Sequence, residues 1–200
     1  MSLSLSDIAN DPHILKFETE IPSGEVLVLR PLETKDSEIL AEFLRNLSPI
    51  TREFYTLESY DIKMAQELCD AINRYDKLRF IVVSKATSKI IALFEYSFDI
   101  PEGDRKRLEG YSEKFDLDKI VRFGPCIADD YQNRGVGSAL FPFILEIARK
   151  FGKTQIILWG GVLSHNERAI KFYQKNGFRK LGNFKNQDGK DSIDMILDIK

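Results

Sequence analysis

A run of β-type residues ends in two closely spaced glycines, and a helical pattern starts on top of them. Residues Ile120 to Asp129 read IVRFGPCIAD, and Asp129 to Phe141 read DDYQNRGVGSALF. No other feature constrains the fold of this chain as much. Val136, Leu140, Ile144, Ile147 and Phe151 recur at helical spacing, so a helix opens at Gly135 or Gly137. Glycine is a poor helix former. Its presence there has two physical readings. One is a tight strand-to-helix turn with no further purpose. The other is a bare helix N-terminus, whose first N–H groups have no partner within the helix and whose dipole favours an anion. Two common phosphate loops do not fit. A Walker A loop ends in Gly-Lys-Ser/Thr, and here Ser138 is followed by Ala139. A dinucleotide fingerprint needs a small residue three places past Gly137, and Leu140 stands there.

The chain is long enough, at 200 residues, to bury one substantial core, and a single domain over 1–200 is expected. A net charge of −2 provides no basic field for nucleic acid. Cys69 and Cys126 are far apart with no metal-ligand spacing, so neither a disulfide framework nor a metal site is expected, and a reducing, cytoplasmic setting fits. The N-terminus lacks a secretory pattern, and no apolar run approaches the roughly 20 residues that span a bilayer.

Along the chain, 1–24 reads as a leader ending in PSG. EVLVLRPL is a strand stopped by Pro31. Thr34 is placed to cap a helix over KDSEILAEFLRNL, with Ile39, Leu40, Phe43, Leu44 and Leu47 as its apolar stripe. SPITREFYTLESY reads as a loop or broken turn. A second helix is expected over about 61–75, with Ile62, Ala65, Leu68, Cys69 and Ile72 on one side. LRFIVVS and KIIALFEYSF form a hairpin. Residues 99–119 are a strongly charged insertion, too long for a hairpin loop. IVRFGPCIAD is a strand whose Gly124-Pro125 pair suggests a bulge or an edge. After the glycine helix come the strand TQIILWGGV, the helix NERAIKFYQKNG ended by Gly177, and the closing hairpin of FRKLGNF and SIDMILDI.

Two signatures in order resolve the ambiguity of the glycine turn. Gln132-Asn133-Arg134-Gly135-Val136-Gly137 matches Gln/Arg-x-x-Gly-x-Gly/Ala, and Asn166, Ala169, Phe172-Tyr173 and Gly177-Phe178 follow. Together they resemble the GCN5-related N-acetyltransferases (GNAT), over roughly Val26 to Ile199. The resemblance implies an α/β fold of the α+β type: a mixed, mostly antiparallel twisted sheet of about six to seven strands, flanked by about four helices, with the fourth and fifth strands splayed. Those two strands are IVRFGPCIA and TQIILWGGV.

The resemblance also implies acetyl-CoA as cosubstrate and no metal. Its pyrophosphate would lie on the amides of Arg134, Gly135, Val136, Gly137 and Ser138, next to Gln132. Its pantetheine arm would lie in the splay and bond Asn166. Arg134, Arg168 and Lys171 could screen the phosphates, although the favoured reading of any single one is a solvated surface cation. The acceptor would be an amine on a small molecule or a protein, and the protein a monomer or homodimer with no nucleic-acid or membrane partner.

Acyl transfer to an amine needs an oxyanion donor, a proton for the departing thiolate, and an unprotonated amine. An N–H near Ile127 suits the first need. Tyr173 matches the family's frequent general acid; the alternative is a core tyrosine beside Phe172. The glutamate often found on the fourth strand is missing from IVRFGPCIA, which leaves Glu95 on the preceding strand as the nearest candidate base, with water or already neutral amine as alternatives. Cys126 has no histidine partner, so a buried structural thiol is expected rather than a covalent acyl-enzyme. Pro142 should interrupt a helical hydrogen bond to Ser138, with tolerance in the first turns of the helix as the alternative. A catalytically silent acyl-CoA-binding domain and a nucleotide-binding protein are the competing readings.

Overall fold

A computed structural model describes residues 2–70 and 77–199. Its centre is one nine-stranded, mostly antiparallel sheet among the described residues. In chain order the strands are β1 (Phe17–Glu20), β2 (Val26–Pro31), β3 (Lys77–Ser84), β4 (Ile90–Ser97), β5 (Ile120–Ile127), β6 (Gln155–Leu158), β7 (Val162–Leu163), β8 (Arg179–Lys185) and β9 (Asp191–Asp198). They lie in the order β1-β2-β3-β4-β5-β6-β9, with β7 continuing β6 along one edge of β9 and β8 on the other edge. The β5–β6 pair is parallel and its neighbours are antiparallel. The helices are α1 (Leu5–Asn10), α2 (Ser37–Asn46), α3 (Pro49–Phe54), α4 (Ile62–Cys69), α5 (Glu102–Glu109), α6 (Val136–Lys150) and α7 (Glu167–Lys175).

The sequence leads one to expect fewer elements, and each addition has a physical cause. The leader is structured: Ser4 caps α1 through a capping box with Asp7, and β1 pairs with β2 from Phe17↔Leu29 to Glu20↔Val26. The splayed strands, fourth and fifth by sequence, therefore become β5 and β6. The stretch SPITREF, expected as loop, forms α3, because Ser48 accepts the Thr51 N–H and Pro49 occupies the first helical position. TQIILWGGV divides into β6 and β7. The charged insertion folds into α5, with Leu108 and Ile100 buried against Ile120 and Ile157. At the start of α2, Thr34 belongs to a short 3-10 turn, and Asp36 accepts the Glu33 N–H and a two-pronged contact from Arg30. α4 ends at Cys69; the rest of the expected 61–75 helix, Ile72 included, falls on 71–76, outside the described residues.

Both faces of the sheet are covered, which is why β4 is buried at every position. Along β4, Phe94 and Tyr96 point to one face and Leu93 and Glu95 to the other, as period-2 geometry requires. The first face packs against α6 and α7 through Val136, Leu140, Ile144, Ile147 and Tyr173, with Phe178 just after α7 in the same cluster. The second packs against α2 and α4 through Leu40, Leu44, Ala65 and Leu68, with Cys126 of β5 in the same cluster. Pro142 is tolerated inside α6, which runs unbroken past it.

Candidate active site

The sheet opens between β5 and β6. The two pair from Ile120↔Gln155 to Phe123↔Leu158, and a last bond runs from the Trp159 N–H to the Phe123 carbonyl at 2.8 Å. There the β6 chain turns aside. Gly160 and Gly161 both take left-handed backbone, at φ 69° and 70°, and the strand resumes only at β7. A side chain at Gly161 would strike the Phe184 ring and the Ile193 carbonyl, so this detour requires glycine.

β5 meanwhile continues through Gly124–Ile127, held by β4 alone. It keeps register there, with Glu95↔Gly124 and Phe94↔Pro125, so the Gly-Pro pair marks an edge rather than a bulge. Antiparallel bonding alternates along a strand. The Ala128 N–H donates to the Ile91 carbonyl at 2.8 Å, which makes Ile91 and Ala128 a bonded pair. Ile127 and Pro125 therefore direct their backbone groups away from β4 and into the gap. Pro125 has no N–H. The Ile127 carbonyl is taken by the Gln132 side-chain amide at 2.9 Å. What remains pointing into the gap is the Pro125 carbonyl and the Ile127 N–H.

The glycine turn closes the head of the gap. Asn133 and Gly135 both have left-handed backbone, at φ 62° and 83°, and Gly135 is the N-cap of α6. The first helical bond is Ala139 N–H to the Gly135 carbonyl, 2.9 Å. The N–H groups of Val136, Gly137 and Ser138 precede it, so no helical carbonyl is available to them. The glycines also have packing reasons that the sequence did not reveal. A Cβ on Gly137 would lie 3.0 Å from the Phe172 ring, and one on Gly135 would lie 2.9 Å from Pro22. Gly137 thus lets α6 and α7 approach closely, whatever it leaves room for on the other side. Arg134 is exposed, with its guanidinium 5.5 Å from the Tyr131 ring centre.

Gln132 is a tie rather than a loose ligand. Its amide also bonds the Thr51 hydroxyl at 3.0 Å, and its carbonyl accepts from Arg168 at 2.6 Å. Asn166 likewise has local work: its side-chain oxygen accepts the Ala169 N–H at 3.2 Å and caps α7, which leaves its NH₂ as the group able to meet a ligand.

Tyr173 lies two turns beyond Asn166 on α7 and is 6% exposed, with its ring 5.1 Å from Phe178 and 5.5 Å from Phe172. Burial pushes its pKa well above that of free tyrosine, so it keeps its proton through neutral and mildly alkaline pH.

Glu95 faces the opposite side of the sheet and is 6% exposed. One carboxylate oxygen is paired with Arg79, and the other accepts the Tyr55 hydroxyl at 2.7 Å. Burial first, and the Glu95 charge second, raise the Tyr55 pKa. Both of its oxygens are therefore already engaged within the sheet's second face. Cys126 sits in the same cluster, and burial followed by the Glu95 and Asp129 charges raises its thiol, so it is an inert structural cysteine as expected. Cys69 is likewise buried and pushed up to about 12.

Sequence reasoning missed what crosses the gap. α3 is attached at one end to the β5 exit, where Asp129 accepts from the Ser48 N–H at 2.9 Å and the Thr51 hydroxyl at 2.7 Å. Burial opposes ionisation of Asp129, but these donors prevail and hold its pKa low. At its other end, the Phe54 ring packs tilted against His165 with ring centres 5.4 Å apart, and Glu53 lies 3.4 Å from both His165 and Lys190, beyond the gap. The Ser48 cap and Pro49 were the available signal for α3; Tyr55 and Arg79 carried none. The charged insertion is fixed beside the paired half of β5 and β6, with Arg107 and Tyr111 on the fully buried Asp194 and Arg122 on Asp104. A polar hollow of about 480 Å³ lined by Thr34, Ser37, Lys63, Gln66, Glu67 and Asp70 lies on different elements from these. Among the described residues, no cluster of three or more His, Cys, Asp or Glu could hold a metal, and no helix is long and apolar enough to cross a membrane.

The model of the acetyltransferase (GNAT) family matches residues 44–178. The chain belongs to the GNAT family. An acetyltransferase of Pseudomonas aeruginosa is 28% identical over 136 residues, 68% of this chain and 67% of that protein. An uncharacterized N-acetyltransferase of Lactobacillus delbrueckii subsp. lactis is 42% identical over 51 residues, and the match spans only 26% of this chain and 28% of that protein. Among solved structures, the GNAT domain of PAT from S. lividans superposes at TM-score 0.71 with 20% identity, over 94% of this chain and 98% of its own. AAC(6')-Ib in complex with ribostamycin and coenzyme A superposes at 0.65 with 22% identity, over 86% and 93%. At those identities the structures establish the shared GNAT fold.

Proposed function

We propose that this GNAT protein transfers the acetyl group of acetyl-CoA to a primary amine. The observation that carries the reading is the opening between β5 and β6: an N–H from Ile127 on its wall, uncapped amides of Val136–Ser138 at its head, and a protonated, buried Tyr173 on the helix alongside. Coenzyme A held together with a second molecule in AAC(6')-Ib supports a site of this shape that takes both a cofactor and an acceptor. The pyrophosphate would rest on the turn around Arg134–Ser138, and the pantetheine would run along β5 towards the Asn166 amide.

In the reaction, the amine nitrogen attacks the thioester carbon, and the Ile127 N–H takes up the developing oxyanion. The C–S bond breaks, Tyr173 protonates the thiolate, and the proton that the amine nitrogen releases to solvent is matched by one that returns to the Tyr173 oxygen. With Glu95 held by Arg79 and Tyr55, the amine enters as its neutral form. An alkylammonium has a pKa near ~10.4, so only about one molecule in 10³ to 10⁴ is neutral at pH 7.

Release of free thiol from acetyl-CoA across a panel of amines tests the activity. For an alkylamine substrate, kcat/KM should rise about tenfold per pH unit between pH 6 and 9, because the neutral amine gains tenfold per unit while Tyr173 stays protonated. A plateau below pH 8 that Glu95→Gln removes would return the base role to Glu95. Acetyl-CoA binding with no turnover on any amine would leave an acyl-CoA-binding module, a reading favoured by the engagement of both Glu95 oxygens.

A further inference from the structure

The leader lies outside the segment that matches the family model, yet it runs the length of α6. At the C-terminal end of that helix, the Leu3 N–H donates to the Lys150 carbonyl at 2.7 Å. Midway, the Phe17 and Phe143 rings are 4.9 Å apart. At the N-terminal end, Pro22 in the β1–β2 turn abuts Gly135, leaving no room for a Cβ. Three residues later, the Glu25 carboxylate accepts the Tyr131 hydroxyl at 2.9 Å and is also bonded by Ser84. Tyr131 carries the Arg134 guanidinium over its ring.

Arg134 has several torsions and is exposed, so on its own it would sample many directions. A ring fixed at its far end by Glu25 gives that guanidinium a defined seat within the glycine turn. The Tyr131 and Ser84 hydroxyls both donate to the same Glu25 oxygen, Oε1.

We infer that the β1–β2 turn is part of the cofactor site: Pro22 and the Glu25–Tyr131 pair are positioning residues that hold the glycine turn and aim Arg134 at the phosphates of the acyl-CoA. This rests on the acetyl-CoA reading above. It assigns the leader segment a role in donor affinity and none in chemistry.

The test compares acetyl-CoA with S-acetyl-pantetheine, which has the same thioester and no nucleotide phosphates. Tyr131→Phe removes the tie to Glu25 and keeps the ring. Glu25→Gln keeps an acceptor and guards against misfolding, and melting curves check both variants. Arg134→Ala should raise the KM for acetyl-CoA about tenfold and Tyr131→Phe about threefold, while Glu25→Gln, which keeps an acceptor for the Tyr131 hydroxyl, should raise it by less than Tyr131→Phe, with kcat unchanged in all three. For S-acetyl-pantetheine, kcat/KM should be unchanged in Tyr131→Phe and Glu25→Gln. In the Arg134→Ala background, Tyr131→Phe should have no further effect, since it acts through Arg134. If Tyr131→Phe harms both donors equally, or adds its full effect to Arg134→Ala, the pair is scaffolding and the inference falls. If the wild type uses acetyl-CoA and both positioning variants match it, the inference falls alone. If the wild type neither binds nor uses acetyl-CoA, it falls together with the proposed function.

Discussion

The two halves of β5 are one continuous strand in very different situations. Ile120–Phe123 pairs with β6 throughout, and with β4 as well at Arg122 and Phe123, and is buried at all four positions, whereas Gly124–Ile127 has β4 on one side and the gap on the other, with only Cys126 buried. The first half spends its backbone groups on ladders and its side chains on the core. The second contains glycine, then proline, then a single outward N–H. The contrast teaches that a binding opening can be made by ending the partner strand while the wall keeps its register. The left-handed pair Gly160–Gly161 diverts the partner, and Pro125 reduces the donors on the wall.

The largest way to break this comparison acts on the open side. Tyr173→Phe keeps the ring packed against Phe178 and removes the hydroxyl, so kcat should fall about 10²–10⁴-fold with little change in melting temperature. The loss should shrink for acyl donors whose thiol has a lower pKa. Near wild-type turnover, with chemistry limiting the rate, would leave Tyr173 as packing alone. The next test sets the halves directly against each other. Phe123→Ala in the paired half should cost about 3–5 kcal/mol of stability by denaturant unfolding, whereas Ile127→Ala in the open half should cost only about 1 kcal/mol. Equal losses would mean that the open half is as much core as the paired one. The smallest effect belongs to the head of the gap. Gly135→Ala forces a Cβ into left-handed backbone and against Pro22 and should lose about 1–2 kcal/mol, with weaker acetyl-CoA binding measured by titration calorimetry.

What the sequence made legible was local. The glycine turn, the apolar face of α6, the Gly177 stop of α7 and the β3–β4 hairpin all follow from patterns within a dozen residues, and the paired signatures around Gln132 and Asn166 identified the family. The unread parts depend on distant partners. β1 is only Phe-Glu-Thr-Glu, too short to declare itself without β2. Whether Glu95 is open or occupied is decided by Tyr55 and Arg79, which lie elsewhere in the chain. Gly137 looked like clearance for a phosphate because the Phe172 ring that touches it is on another helix.

The leader's grip on α6 has a consequence for how the chain is made. Ile8, Leu15 and Ile21 are almost fully buried in the same core cluster as α6, a helix synthesised more than a hundred residues later, and the Leu3–Lys150 bond closes a loop of that length. Contacts so distant in sequence form late and slow folding. A nascent chain therefore carries an uncovered greasy segment until Lys150 has left the ribosome, and it is in that interval that a chaperone has something to hold.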